Sequence, residues 1–267
     1  TDGPQIFYRH RTENAGRKVG NLRDFYARWS HRYPYVAVLD ADSLISGETL
    51  AQLLQRMEAR PELGILQVPA RPALGRTLFA RVLQFAGDVY GGPLIEGFRA
   101  LYGPEAIFWG HNAVLRTEAF VAECGLPDLS GPPPLGGPIL SHDFVEAALM
   151  RRAGYEVAVA SDLAFSYEEL PPNLGAYLRR DRRWCQGNLQ HLRLLRADLP
   201  VLNRLWLLFG ALGYLVAPLL IAFLVLATAL GLGDAPGPWA GIAVGVAALG
   251  VLGPKLVGLA HILSVKS

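Results

Sequence analysis

Asp40 and Asp42, one residue apart, close the short apolar run Tyr35-Val36-Ala37-Val38-Leu39. Carboxylates at i and i+2 beyond a buried strand can hold a hard divalent cation, Mg²⁺ or Mn²⁺, and through it a diphosphate. A solvated strand end followed by a helix cap has the same pattern. Asp143, in Ser141-His142-Asp143, opens a helical run; the dipole there favours its ionised form, which can accept a proton from a hydroxyl. The plainer reading is that Ser141 or Asp143 caps the helix. In Arg180-Asp181-Arg182-Arg183-Trp184, guanidinium groups that pair with phosphate stand beside an indole that can stack on a sugar ring, unless the segment is only a basic patch at a membrane surface. Arg9-His10-Arg11 and Gly16-Arg17-Lys18-Val19-Gly20-Asn21 could touch phosphate, cap a helix or form a solvated basic loop.

Positioning these groups falls to alternating elements. Strands are expected at Tyr35 to Leu39, Ile65 to Val68, Trp109 to Leu115 and Tyr155 to Ala160, and helices at Ser46 to Met57, Thr77 to Tyr90 and His142 to Arg152. Such alternation predicts an α/β sandwich. The Gly/Pro-rich stretch Gly131 to Pro138 directly precedes the Ser-His-Asp cluster and reads as an active-site loop. From Asn173 to Leu199, apolar residues alternate with six arginines, the pattern of helices lying at a membrane surface.

Charge divides the chain. Residues 1 to 200 carry 22 Lys/Arg and 22 Asp/Glu, whereas the rest holds only Arg204, Lys255, Lys266 and Asp234. The net charge of +2 therefore comes from the apolar tail and gives no nucleic-acid-binding surface, so no polynucleotide partner is expected. Leu205 to Leu232 runs 28 residues without a charge, longer than the roughly 20 that cross a bilayer, and Pro218 can kink it. A turn at Gly233 to Pro238 leads to a second apolar run, from Trp239 to near Val265. Lys255 within that run must snorkel or face protein if the helix spans, and a helix that only enters the membrane is the alternative. Arg193, Arg196 and Arg204 precede the first span and Lys255 and Lys266 lie in or after the second, which places the soluble part in the cytoplasm. Cys124 and Cys185 are too few for a disulfide framework and are expected to be reduced.

In order, these signals resemble the processive family 2 glycosyltransferases, which include cellulose, chitin and hyaluronan synthases, and within them the subgroup that makes periplasmic glucans. The resemblance rests on Tyr8 to Arg11, Trp109 to Asn112, Leu140 to Gly154, Ser166 to Glu169 and Asp181 to His191. It implies part of a GT-A type nucleotide-sugar-binding sandwich over residues 1–172, and the segments beyond are read as amphipathic interfacial helices over 173–203, a transmembrane helix over 204–232 and a second transmembrane or re-entrant helix over 238–265. It further implies transfer of glucose from UDP-glucose to a β-1,2-linked glucan at the bacterial inner membrane, with acyl carrier protein as a partner. Asp42 matches the family's metal-binding Asp with Asp40 beside it, and Asp143 its general base. Lys18, Arg180 and Arg183 fall on the nucleotide side, and Trp184, His111 and His142 on the acceptor side. Ser141-His142 replaces the family's Thr-Glu, and Arg180 stands where many members have Gln. The family's first strand, its early uracil-binding acid and its N-terminal spans are expected to lie upstream of Thr1. A synthase of another β-linked polymer and a non-catalytic UDP-glucose sensor share these features.

Overall fold

The computed structural model describes residues 5–126, 128–230 and 238–266. The chain runs α1 (Arg17–Trp29), β1 (Tyr35–Val38), β2 (Leu44–Ile45), α2 (Gly47–Ala59), β3 (Leu63–Gln67), β4 (Arg71–Ala73), α3 (Leu78–Tyr102), β5 (Ala113–Arg116), α4 (Thr117–Glu123), α5 (His142–Arg152), β6 (Glu156–Val159), β7 (Ser166–Glu169), α6 (Leu174–His191), α7 (Val201–Ala229) and α8 (Pro238–Lys266).

Two mixed sheets result. The larger has the order β1-β5-β3-β6. In it β5 runs antiparallel to both β1 and β3, and β3 runs parallel to β6. Every residue of β3 is buried, as expected of a strand covered on both faces. Leu53 and Met57 of α2 pack on one face with Leu63, Leu66 and Val114. Tyr26, Phe120, Val145, Ala148 and Met150 pack on the other with Ile65, Leu115 and Val157. Gly64 lets β3 pass close to Tyr155 Cβ, which would lie 2.8 Å from any Cβ added there. The smaller sheet has the order β2-β7-β4 and holds the segment after Asp42 against Ser166 and Tyr167.

Side-chain caps fix three helix starts. Ser46 accepts from Thr49 N–H, Thr77 from Ala80 N–H and Asn173 from Ala176 N–H. The cap after Asp42 is thus Ser46. A helix cap therefore does follow the Asp40-Asp42 pair, whereas Ser141 sits at the start of α5 and makes no side-chain cap.

Several expectations need correction. The strand expected from Trp109 is confined to Ala113–Arg116, because Gly110 at φ +86° and Asn112 at φ +48° leave extended geometry. The helix expected to end at Tyr90 continues to Tyr102 through Gly91, Gly92 and Pro93. The short strands β2, β4 and β7, with two to four residues each, left no period-2 signal to read.

Among the described residues, α7 is the one helix long and apolar enough to cross a membrane. Its first turns are buried at Asn203, Leu207 and Ala211, while Leu219 to Leu226 is largely exposed. α8 packs against α3, where Gly258 comes up to the Val89 carbonyl. The turn around Asp234 and the side chain of Lys255 lie outside the described residues.

Gln67 is fully buried on β3; its Nε2 donates to the Ile107 carbonyl, and its Oε1 accepts from Trp109 N–H at 2.9 Å. Gln67→Leu keeps the volume but strands both backbone groups, at a cost of about 2–4 kcal/mol. The expected result is a clearly lowered midpoint in thermal or denaturant unfolding, whereas Gln55→Leu on the exposed face of α2 leaves it in place.

Candidate active site

Asp143 lies in the first turn of α5, and α6 fixes where that turn begins. Gln190, fully buried, accepts from Leu140 N–H at 3.0 Å and donates to the carbonyls of Gly136 and Pro138. His191, also fully buried, has Nε2 at 2.9 Å from the Ser141 carbonyl. Gly187 lies against Ser141 so closely that a methyl group there would overlap its hydroxyl. The stretch Gly131 to Pro138 is therefore strapped to α6, with Gln186 Nε2 also donating to the Pro134 carbonyl. Burial pushes the His191 pKa down to about 4, so the ring is neutral and donates its Nε2 hydrogen.

The Asp143 carboxyl faces the segment Trp109 to Asn112. A Cβ on Gly110 would stand 3.3 Å from Asp143 Oδ2, and with φ at +86° only glycine fits without strain. The Gly110 carbonyl accepts from Lys18 Nζ at 2.7 Å, and the same ammonium is paired with Asp40. One lysine of α1 thus ties the acid beyond β1 to the backbone beside Asp143. Burial raises the Asp143 pKa, opposed by nearby His142 and reinforced by Glu146.

His142 and His111 were both expected on the acceptor side. His142 is buried with Nδ1 2.9 Å from Glu146 Oε1, a pair packed behind Asp143. Burial alone would lower the His142 pKa, but the Glu146 and Asp143 carboxylates together outweigh it and the net shift is upward. His111 is mostly buried; its Nδ1 is 3.0 Å from Asn112 Oδ1, and its Nε2 is 3.5 Å from Glu168 Oε2.

Asp42, Glu169, Arg179, Arg180 and Arg183 line one cleft of about 420 Å³, floored by Leu170, Pro171, Pro172 and Ala176. Arg180 also lies 4.5 Å above the centroid of the half-exposed Trp184 ring, covering one of its faces. Trp184, Asp143 and Lys18 do not line this cleft. Arg9 and Arg11 turn back onto α1, the first to Asn21 and Asp24 and the second to Asn14, Ala15 and Arg17, so only Lys18 of the basic N-terminal segment reaches the acids.

Among the described residues no three His, Cys, Asp or Glu side chains converge on a point that could cage a metal ion. The donor set instead suits a cation that keeps several waters and shares a diphosphate: two carboxylates, one of them on a wall with three arginines.

Glu168 was not expected among the site residues. Burial raises its pKa; His111 and Arg180 pull it down, and Asp42 and Asp40 push it further up, so its carboxylate lies within the field of all four. The sequence signal was present in Ser166-Tyr167-Glu168-Glu169. What the sequence lacked was the pairing of β7 with β2 and β4 that turns this segment to the acids.

A family profile described as "Glycosyl transferase family group 2" matches residues 35–252. Similar curated proteins include the glucans biosynthesis glucosyltransferase H of Rhodopseudomonas palustris, 49% identical over 226 residues, which cover 84% of this chain and 32% of that protein. The proteins of the same name from Shewanella putrefaciens and Shewanella oneidensis are each 51% identical over 215 residues, 80% of this chain and 30% of theirs. The chain spans about a third of the length of these relatives.

Because His191 is neutral in the fold and has an ordinary value of 6.5, the unfolded chain binds a proton that the folded one does not as pH falls from 6.5 to about 4. Stability is lost across that window, by at most about 1.4 kcal/mol per pH unit from this group. His191→Gln can still donate to the Ser141 carbonyl. Its unfolding free energy is expected to show a shallower pH slope there, read by denaturant titrations at successive pH values.

Proposed function

The chain belongs to family group 2 of the glycosyl transferases, and from that premise we propose that it transfers glucose from UDP-glucose to the end of a growing β-1,2-linked glucan. The observation that carries this reading is the cleft in which Asp42 faces Arg179, Arg180 and Arg183. Anionic oxygens are the natural occupants of a wall bearing three guanidinium groups. The names of the relatives, each a glucosyltransferase of glucan biosynthesis, support glucose as the sugar and a glucan as the acceptor.

In this reading the two sheets form a GT-A type sandwich. Asp143 removes the proton from the acceptor hydroxyl as its oxygen attacks the anomeric carbon; the bond to the β-phosphate oxygen breaks and UDP departs, with inversion. Burial, by raising the Asp143 pKa, makes its carboxylate a stronger base than one in water. Arg180 and Arg183 take up the negative charge that grows on the leaving diphosphate. Lys18 holds Asp40 and the Gly110 carbonyl together and so keeps the two halves of the site in register. Asp42, with Asp40, would hold Mg²⁺ or Mn²⁺, which when bound supplies Lewis-acid neutralisation of the diphosphate. The free face of Trp184 offers a platform for an acceptor ring.

α7 and α8 are proposed as membrane segments, with α6 at the cytoplasmic face of the bacterial inner membrane. The glucan would then leave through the membrane beside its site of synthesis. Acyl carrier protein enters only through the resemblance of the sequence to its family.

The test is incubation of the complete protein in membranes with labelled UDP-glucose, with Mg²⁺, with Mn²⁺ and with a chelator. Label is expected in a β-1,2-linked product in the presence of a divalent ion. Asp143→Asn should lower incorporation by about 10²- to 10⁴-fold while UDP-glucose still binds. For the wild-type protein, the rate should fall as acidification protonates Asp143, at a pH above the ordinary carboxylate value because its pKa is raised. Undiminished synthesis by the Asn variant excludes the proposed base. A different linkage in the product replaces the named polymer with another, and binding of UDP-glucose without any incorporation favours a sensor.

A further inference from the structure

Glu168 has no part in the transfer just described, yet it lies 3.5 Å from the His111 ring and within the field of Asp40, Asp42 and Arg180. Ser166 and Glu168 alternate with Tyr167 on β7 and so share one face of the strand. Both are turned to the segment before β5: Ser166 Oγ receives Asn112 Nδ2 at 2.8 Å, and Glu168 Oε2 lies 3.5 Å from His111 Nε2. With its amide nitrogen committed to Ser166, Asn112 presents Oδ1 to His111 Nδ1 at 3.0 Å. An imidazole that donates there is held in its plane by Asn112, and its second nitrogen points at Glu168.

His111 directly follows Gly110, whose Cα faces Asp143 and whose carbonyl receives Lys18. Asn112 is itself clamped, being fully buried at φ +48° with its carbonyl accepting from Val68 N–H at 2.9 Å. The chain between these points has little slack. A partner that fixes the His111 ring therefore also fixes the peptide against which Asp143 rests.

We propose that Glu168 is a positioning residue of the transfer reaction, one that orients the His111 imidazole and, through it, the Gly110 backbone, so that the acceptor hydroxyl meets Asp143. This rests on the glucosyltransferase reading. Its action is on the acceptor: the donor is gripped by the arginine wall, and the side-chain contact of Glu168 is with the His111 ring.

The experiment compares wild type, E168A, E168Q, H111A and the E168A/H111A double variant of the complete protein in membranes. Glucan formed and free glucose released to water are measured together at varied UDP-glucose and glucan oligosaccharide. E168A is expected to lower kcat/KM for the oligosaccharide about tenfold, with the UDP-glucose KM moving less than about twofold and glucose release rising relative to incorporation. E168Q, whose side-chain amide can donate to the Nε2 lone pair or accept an Nε2 hydrogen, should recover most of that loss. In the H111A background E168A should add nothing, the signature of two residues acting as one. Additive losses, or a loss confined to the UDP-glucose KM or to the metal requirement, overturn the proposal. The ¹⁵N resonances of the His111 ring supply a second readout that needs no turnover, and an unchanged Nε2 signal in E168A also overturns it. A wild-type protein that consumes no UDP-glucose refutes the donor assignment instead, and the resonance then decides the role of Glu168 separately.

Discussion

The site depends on a clasp between two helices that are distant in sequence. Gln190 and His191, near the end of α6, hold the backbone from Gly136 to Ser141 and so set the point at which α5 begins. Asp143 rides on that first turn, and Arg180, Arg183 and Trp184 ride on the same α6 that supplies the clasp. Both clasp residues are fully buried, so their hydrogen bonds have no water to exchange with and an unmade one is costly. The acid and the guanidinium groups are therefore carried by one rigid unit, although nearly 40 residues of chain separate them.

The second unit is the four-residue segment from Trp109 to Asn112. It is irregular, yet five of its polar groups are spoken for: Trp109 N–H by Gln67, the Gly110 carbonyl by Lys18, the His111 ring by Asn112, the Asn112 side chain by Ser166 and its carbonyl by Val68. A strand could not do this, because alternating side chains and a regular ladder would point the carbonyls at neighbouring strands. Left-handed Gly110 turns its carbonyl to Lys18 at the site, while left-handed Asn112 returns its own to the backbone at Val68 and so rejoins the sheet. Backbone in this state needs strong support, and the buried hydrogen bonds supply it.

Much of this was legible in the sequence, and the failures have physical causes. Asp40 and Asp42 after an apolar run, Asp143 at a helix start and the arginines ahead of Trp184 were all readable because each depends on local pattern. β1, β3, β6 and α5 were likewise found from short-range periodicity. The extent of α3 was missed because Gly91-Gly92-Pro93 reads as a stop, although a long helix with neighbours on its flanks tolerates it. The family resemblance set His142 on the acceptor side. Its burial against Glu146, one helical turn on, depends on tertiary packing over α5, which no local pattern reveals. The tail of the Asp181 to His191 motif, Gln186 to His191, was recognisable as a string of letters long before its purpose was visible, since its partners lie some 50 residues upstream.

Gly210 on α7 has no side chain where Asn188 of α6 comes closest, and Asn188 in turn donates to the Trp184 carbonyl. Four residues further along α7, Tyr214 reaches Asp181. The first half of that long apolar helix is thus bolted to the turns bearing Trp184, while the rest stands clear of the protein. A rod gripped at one end acts as a lever: when the free arm tilts, the last hold it pulls on is the Tyr214 hydroxyl at Asp181, on the same turn of α6 as Trp184.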